Sequence, residues 1–280
     1  MPYPDPRVAV ATMHGKAEVL RPALAAAGLV PVPVQIDTDA LGTFSGEVER
    51  GAGPRETAIA KARQGMAASG LRLGLATEAS FGPDPLIGFL PVHHELLVFA
   101  DDLHGQLLIV EELSHETNWQ SKSVASAPEA EDLLVAAGFP EHAVLVRPNI
   151  FLPGMPVAKG LREHAAVAAA IARMAALSAD GLARVDTDMR AHMNPTRQSR
   201  IAALGQRLAQ RLATPCPACG TPGFGMTGSL PGLPCADCGV PTGMIRAEQH
   251  TCGVCGHRAD HPRSDGLVAA DPSACPQCNP

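Results

Sequence analysis

All eight cysteines of this 280-residue chain lie between Cys216 and Cys278, as four Cys-x-x-Cys pairs: Cys216/Cys219, Cys235/Cys238, Cys252/Cys255 and Cys275/Cys278. Two thiolates at that spacing present their sulfurs to one ion, so four pairs imply two structural zinc centres of four cysteines each. A disulfide framework is the competing reading. Disulfides persist in oxidising compartments, and nothing in the sequence signals export. A four-thiolate centre leaves no position for a reactive water, which makes this tail structural or recognitive.

A second concentration of chemistry is "VDTDMRAHMNPTR", which carries Asp186, Asp188, Arg190, His192, Asn194 and Arg197 within one connection. Other polar groups also follow apolar runs: Thr12, His14, Gly15 and Lys16; then Asp37 and Asp39; then Thr77, Glu78 and Ser80. Both signs of charge recur. Lys16, Lys61, Arg190 and Arg197 are suited to phosphate oxygens, while Asp39, Glu47 and Glu78 are suited to a hard cation such as magnesium. That mixture fits hydrolysis of a phosphoanhydride, with a carboxylate orienting water and cations stabilising charge on phosphate. The candidate catalytic residues are Glu78, Glu47 and Asp39. The candidate phosphate or substrate contacts are His14, Lys16, Lys61, Asp188, Arg190, His192, Asn194 and Arg197. Each alone also reads as a helix cap or solvated loop, so the case rests on joint placement.

The elements that must position these groups alternate. "RVAVATM" reads as a buried strand, followed by a helix with Val19, Leu20, Ala23, Leu24 and Ala27 on one face and Gly28 at its end. "VPVPVQI" is a second strand. Pro54 opens a helix that buries Ala58, Ile59, Ala62 and Met66 and ends at Gly70. "LRLGLAT" is the next strand, and "HELLVFADDLHGQLLIVEEL" gives two more joined at His104 and Gly105. A short helix over 128–137, a strand "HAVLVRP", an alanine-rich helix over 157–178 and a strand over 182–187 follow. The last helix starts near Pro195 and buries Ile201, Leu204, Leu208 and Leu212. Alternation of this kind implies an α/β fold, a mixed sheet with flanking helices, over 1–214, with a small zinc-ribbon-like domain over 215–280. Ligands of such sheets bind at strand ends. His93 and His94 lack the helical His-x-x-x-His spacing of a zinc enzyme, and so does the histidine of "SHETN"; alternating polar residues on strands are expected to face water.

Composition sets further bounds. A hydrophobic content of 46% is ample for a core, and a net charge of -6 offers no general attraction for nucleic acid or anionic membrane. Aromatics, at 3%, leave little material for base stacking. With no charged-then-apolar leader and no long apolar run, a soluble cytoplasmic protein is the expectation.

"ATMHGKAEVLRPALAAAGL" resembles the opening strand and helix of the inosine-triphosphate pyrophosphatase superfamily, which includes the Maf and YjjX types. "ETAIAKARQGMAASGLRLGLATEASFG" is similar to that superfamily's Glu-Asn-Ala-x-x-Lys-Ala helix and the strand after it, and "AGFPEHAVLVRP" is a fainter likeness to its Gly-Phe segment. The resemblance implies that Lys16 and Lys61 contact phosphate and that Glu78 is the catalytic or magnesium-binding carboxylate. It implies Glu47 as a second metal ligand and places Arg197 near the superfamily's Ser-His-Arg-Gly motif. The activity implied is cleavage of nucleoside triphosphates to monophosphate and pyrophosphate. Here His14 stands where the superfamily has Asn, Thr57 replaces the helix Asn, and Glu78-Ala79-Ser80 replaces Asp-Ser-Gly. These departures touch base and phosphate recognition and leave the substrate open. The whole chain is also similar to an uncharacterised bacterial family with this α/β part, a "DTDMRAHMNPTR"-like segment and a cysteine-rich tail.

Three pairings of the zinc knuckles are possible. The 13 residues "GVPTGMIRAEQHT" between the second and third pairs hold enough strand for a hairpin. "HTCGVCGHRAD" resembles the second knuckle of a zinc ribbon. Together these favour a nested arrangement, second with third and first with fourth, similar to the cysteine-rich region of DnaJ-type chaperones. The tail's cations, Arg246, Arg258 and Arg263, face five acids, Asp237, Glu248, Asp260, Asp265 and Asp271. Eight thiolates with two divalent ions add about -4 more. Binding driven by phosphate neutralisation is therefore handicapped, and a protein contact is favoured over nucleic acid. Two functional readings result: a magnesium-dependent nucleotide hydrolase, or a non-catalytic regulator whose α/β domain binds a small ligand and whose zinc tail contacts a partner.

Overall fold

The computed structural model describes residues 3–12, 15–36, 51–84, 87, 88 and 90–280. Strand β1 (Arg7–Ala11) pairs in parallel with β2 (Val30–Val34) on one side and β3 (Leu73–Pro83) on the other. Antiparallel β4 (Pro91–Asp101) and β5 (Gln106–Ser114) extend the sheet to the order β2-β1-β3-β4-β5. The expected mixed sheet is thus present.

Helix α1 (Lys16–Ala26) connects β1 to β2 and packs with α5 (Pro195–Leu212) on one face. Their shared core joins Leu20 and Leu24 to Leu75, Leu97, Phe99, Ile201, Leu204 and Leu208. Helix α2 (Pro54–Ser69) covers the other face, where Ala58, Ala62 and Met66 meet Ala76, Leu96 and Val98. Pro54 stands in the first turn of α2 and Gly70 closes it at φ 71°, both at the expected positions. Asn194 caps α5 by accepting the Arg197 N–H.

A second, antiparallel sheet was not distinguished in the sequence. It contains β6 (Ser121–Val124), β7 (Val144–Pro148), β8 (Ala158–Leu161) and β9 (Ala183–Thr187) in the order β6-β9-β7-β8. Helices α3 (Glu131–Ala137) and α4 (His164–Leu177) contribute to its core through Leu133, Leu134, Val167, Ile171 and Met174. The helix expected over 157–178 therefore begins seven residues late. Ala158–Leu161 pairs with β7 instead, and Gly160 at φ 69° has a left-handed backbone that a right-handed helix cannot accept.

The tail forms a three-stranded sheet of β10 (Gly225–Pro231), β11 (Ile245–Thr251) and β12 (Arg258–Pro262). Its entry segment is clamped to the rest of the chain. Gln106 donates to the Pro222 carbonyl at 3.0 Å, Arg211 donates to the Gly223 carbonyl at 3.0 Å, and Gly223, at φ +99°, passes directly over Leu108. Among the described residues, no helix is long and apolar enough to cross a membrane.

Gly74 marks the closest approach of α2 to β3, because a Cβ there would lie 2.8 Å from the Ala62 carbonyl oxygen. Gly74→Ala should lower the denaturant midpoint by an amount worth about 1–3 kcal/mol, since backbone on both elements has to yield. An unchanged midpoint would show that α2 is not held at this distance.

Candidate functional site

The candidate site lies where two neighbouring strands differ in length. β1 stops at Ala11 and pairs with β3 only as far as Val10 opposite Leu75, whereas β3 runs on to Pro83 alongside β4. The strand was expected to end at Thr77, with Glu78 and Ser80 after it; both lie within it instead, because β4 supplies a partner along its full length. Beyond Leu75, β3 has no described strand on its β1 side, and Lys16, the first residue of α1, reaches that edge and donates to the Thr77 carbonyl at 3.1 Å. The Thr77 side chain is buried, and its hydroxyl oxygen has no partner among the described residues.

Strand alternation then sends two carboxylates to opposite faces of the sheet. Glu78 points toward α2 and is ion-paired with Lys61, both being largely buried. Glu95, in register with Ala79, points toward α5, where Arg197 grips it with two bonds of 2.8 and 3.1 Å. His93 adds a 2.9 Å contact to the same carboxylate. Phe81 stacks on His93 at 4.4 Å between centroids and lies 5.5 Å from the Arg197 guanidinium. Burial alone would raise the Glu95 carboxyl, but the Arg197 charge, hydrogen bonds from His93 and Arg197, and the Lys16 charge hold it at about 2.

Lys16 sits where both faces are felt. Desolvation, reinforced by the Arg197 and Lys61 charges against the pull of Glu78 and Glu95, lowers its ammonium to about 8. A cation so far below its ordinary range gains from an added anion. The structure thus gathers four expected site residues, Lys16, Lys61, Glu78 and Arg197, around Thr77, Glu95 and His93. His14, Asp39 and Glu47 lie outside the described residues. Apart from the cysteines, no group of three or more potential metal-ligand residues occurs among the described residues.

His93 and Glu95 were missed in the sequence, and the expectation that these strand residues face water is corrected for His93, which is 2% exposed. Its partners, Glu95 and Phe81, lie on its own face of the sheet, and Arg197 from α5 closes over them. The available signal was a glutamate within the otherwise apolar run "HELLVFA". His94 faces outward and contacts Glu111 at 3.0 Å.

The polar residues of "VDTDMRAHMNPTR" chiefly hold one another. Asp188 accepts from Arg190 at 2.6 and 2.9 Å and from the Gly160 N–H at 3.0 Å. Asn194, besides capping α5, donates to Asn118 at 3.1 Å, and the Met189 carbonyl accepts from Arg197 at 2.6 Å. Burial and then the Arg190 charge lower the His192 pKa. This connection therefore builds the wall that holds Arg197 against Glu95.

In the tail, the sulfurs form two groups: Cys216, Cys219, Cys252 and Cys255, and Cys235, Cys238, Cys275 and Cys278. The nested pairing is overturned in favour of a crossed one, first with third and second with fourth. The strand between the second and third pairs does not fold on itself; β11 pairs backward with β10, Gly225 opposite Thr251, so that the first and third knuckles flank the open end of one hairpin. β12 then runs antiparallel to β11 and returns the chain to the closed end, where Ala270 bridges to Cys235. Sulfur separations of 3.6–3.9 Å within the groups agree with the ~3.8 Å edge of a tetrahedron built on Zn–S bonds of about 2.3 Å. Backbone N–H groups of Ala218, Val254 and Gln277 also point at ligand sulfurs from 3.4 Å. The two groups fit two structural zinc ions.

Lys16 makes stability depend on pH. Its folded value of about 8 lies below the ordinary 10.5, so between those limits the unfolded chain binds more protons and stability rises with pH, by at most roughly 3 kcal/mol. Denaturation at pH 8 and pH 10 should show this rise, and Lys16→Met should abolish it; an equal rise in the variant would assign it elsewhere. For the tail, Cys275→Ser with Cys278→Ser should leave one zinc equivalent and expose Cys235 and Cys238 to alkylation. Alkylation of Cys216 and Cys219 instead would refute the crossed pairing.

No curated protein matches the chain. Among solved structures, one described as a nucleoside-triphosphatase / dITP/XTP pyrophosphatase from Mycobacterium abscessus is similar at 16% identity, covering 38% of this chain and 70% of that one, with a TM-score of 0.28. The model of the family described as "Domain of unknown function (DUF6671)" matches residues 61–280, a span that holds Lys61, Glu78, Glu95, Arg197 and all eight cysteines, and the chain belongs to that family.

Proposed function

We propose that this protein hydrolyses a nucleotide or related phosphate compound with the aid of magnesium, in a cleft built on an α/β unit over 1–214 and braced by a zinc unit over 215–280. The observation that carries the reading is Lys16 against β3: its depressed ammonium donates to the Thr77 carbonyl between two buried ion pairs, beside a Thr77 hydroxyl with no partner among the described residues. Both groups suit phosphate oxygens, and an oxyanion there would raise the Lys16 pKa back toward its ordinary range.

Glu78 takes the role of the carboxylate that orients or deprotonates the attacking water, with Lys61 holding it in place. Magnesium commonly uses one or two carboxylates, several waters and substrate phosphate oxygens, and Glu78 fits as one such ligand; Asp39 and Glu47 are the further candidates on sequence grounds. When bound, the ion would withdraw charge from the phosphate. Arg197, saturated by Glu95 and the Met189 carbonyl, serves as a positioning residue. Asp188, Arg190, His192 and Asn194 shape the wall beside it.

The second reading, a ligand-binding regulator without turnover, is favoured by the extent to which these charges already satisfy one another. Exposed Val254, Leu267 and Val268 in the zinc unit suit a protein contact under that reading.

Release of phosphate and pyrophosphate from a panel of standard and deaminated nucleotides, with and without magnesium, tests both. Magnesium-dependent release should fall by about a hundredfold or more in Glu78→Gln while nucleotide binding persists. Binding without release would select the regulator, and absence of both would reject a nucleotide ligand.

A further inference from the structure

The second sheet carries a feature that the Lys16 cleft does not use. One of its faces is covered by the α3 and α4 core. On the other face Arg147 of β7 and Arg184 of β9 stand directly opposite each other in the antiparallel register. Like charges in that position repel and destabilise the pairing. One acid compensates: Asp186 lies 3.4 Å from Arg147 and 3.6 Å from Arg184 and is itself hydrogen-bonded by Ser121. Among the described residues it is the one acid within ion-pair reach of either arginine. The Arg184 Nε is buried and reaches only this shared carboxylate, at 3.6 Å, too far for a full hydrogen bond.

The surroundings define what would complete it. Ser123, opposite Arg184 on β6, donates to Asn149 at 2.6 Å and ties this face to the segment that follows β7. In that segment Phe151 lies 5.3 Å from the Arg147 guanidinium, and Ile150 and Leu152 are 45% and 57% exposed. Two guanidinium forks with one shared counter-charge retain a net positive charge, and their side chains are 24% and 36% exposed, the arrangement that recognises planar or tetrahedral oxyanions. Phe151, against the Arg147 guanidinium, adds an apolar surface.

We propose that the paired Arg147 and Arg184 form a binding site for an organic oxyanion, a carboxylate or phosphate monoester, whose apolar portion lies against Phe151. The site is separate from the Lys16 cluster. Arg184 lies four residues before Asp188, about 13 Å of extended chain, and the proposal does not depend on hydrolytic activity.

The test uses the full-length, zinc-loaded protein titrated with phenyl phosphate, benzoate and inorganic phosphate, read by amide chemical shifts of residues 145–152 and 183–187. Saturable shifts with phenyl phosphate or benzoate are expected, and whichever binds more tightly identifies the oxyanion. Inorganic phosphate should bind more weakly than phenyl phosphate because it lacks the apolar portion. Arg147→Gln and Arg184→Gln should each weaken binding about tenfold or more, and Lys16→Met should leave it unchanged. Unliganded Arg184→Gln should melt no lower than the parent, because the substitution removes the opposed charge; a purely structural arginine would instead lower the melting temperature. Should a glutamine variant fail to fold, Arg184→Lys, which keeps the charge but loses the fork, should still bind several-fold more weakly. Absence of saturable shifts with all three probes, undiminished affinity in the arginine variants, or a lowered melting temperature in Arg184→Gln would each overturn the proposal.

Discussion

Glu95 is a carboxylate buried in the middle of a sheet, and much of the architecture follows from keeping it charged there. An ion at 1% exposure is tolerated only with close, well-oriented partners. Arg197 supplies two bonds and His93 a third contact, but Arg197 can do so only because Asn194 fixes the first turn of α5 and the Met189 carbonyl holds the remaining side of the guanidinium. The pair therefore sets where α5 begins. The apolar row from Ile201 to Leu212 sets how it lies, and Arg211 at its far end bonds to the Gly223 and Ile109 carbonyls. One helix thus carries the consequence of a buried charge from the cleft to the zinc tail.

The fold was legible where the sequence repeats with the period of its element. Leu204, Leu208 and Leu212 define α5, and Pro54 and Gly70 delimit α2, because local backbone preference and tertiary packing agree at those positions. It was illegible where a tertiary partner decides. Ala158–Leu161 is compatible with a helix in composition, yet β7 offers it hydrogen bonds and Gly160 adopts a left-handed turn. β3 continues past its expected end for the same reason, since the edge of β4 is there to pair with it. Division of the strands between two sheets is a choice among distant partners that periodicity does not encode.

The site divides along similar lines. Lys16, Lys61 and Arg197 attracted notice as charges beside apolar elements, and they contact Thr77, Glu78 and Glu95 respectively. Glu95 and His93 did not, because alternation assigns a strand residue to a face without saying whether that face meets water or α5. The cysteine knuckles were evident from spacing alone, whereas their partnership was not. Spacing describes each knuckle, but the route of β10, β11 and β12 decides which knuckles meet.

That route imposes an order on assembly. As the chain is synthesised, the first centre has all its ligands once Cys255 has emerged, closing a 39-residue span from Cys216 that encloses the waiting Cys235 and Cys238. The second centre then closes a span of 43 residues from Cys235 to Cys278 that encloses the completed Cys252 and Cys255. Each span contains ligands of the other, so the two cysteine groups act like overlapping clasps rather than beads on a string. The tail consequently has no half that can be cut away whole, and a chain interrupted between Cys255 and Cys275 would keep the clasp beside Leu108 while leaving the distal one open.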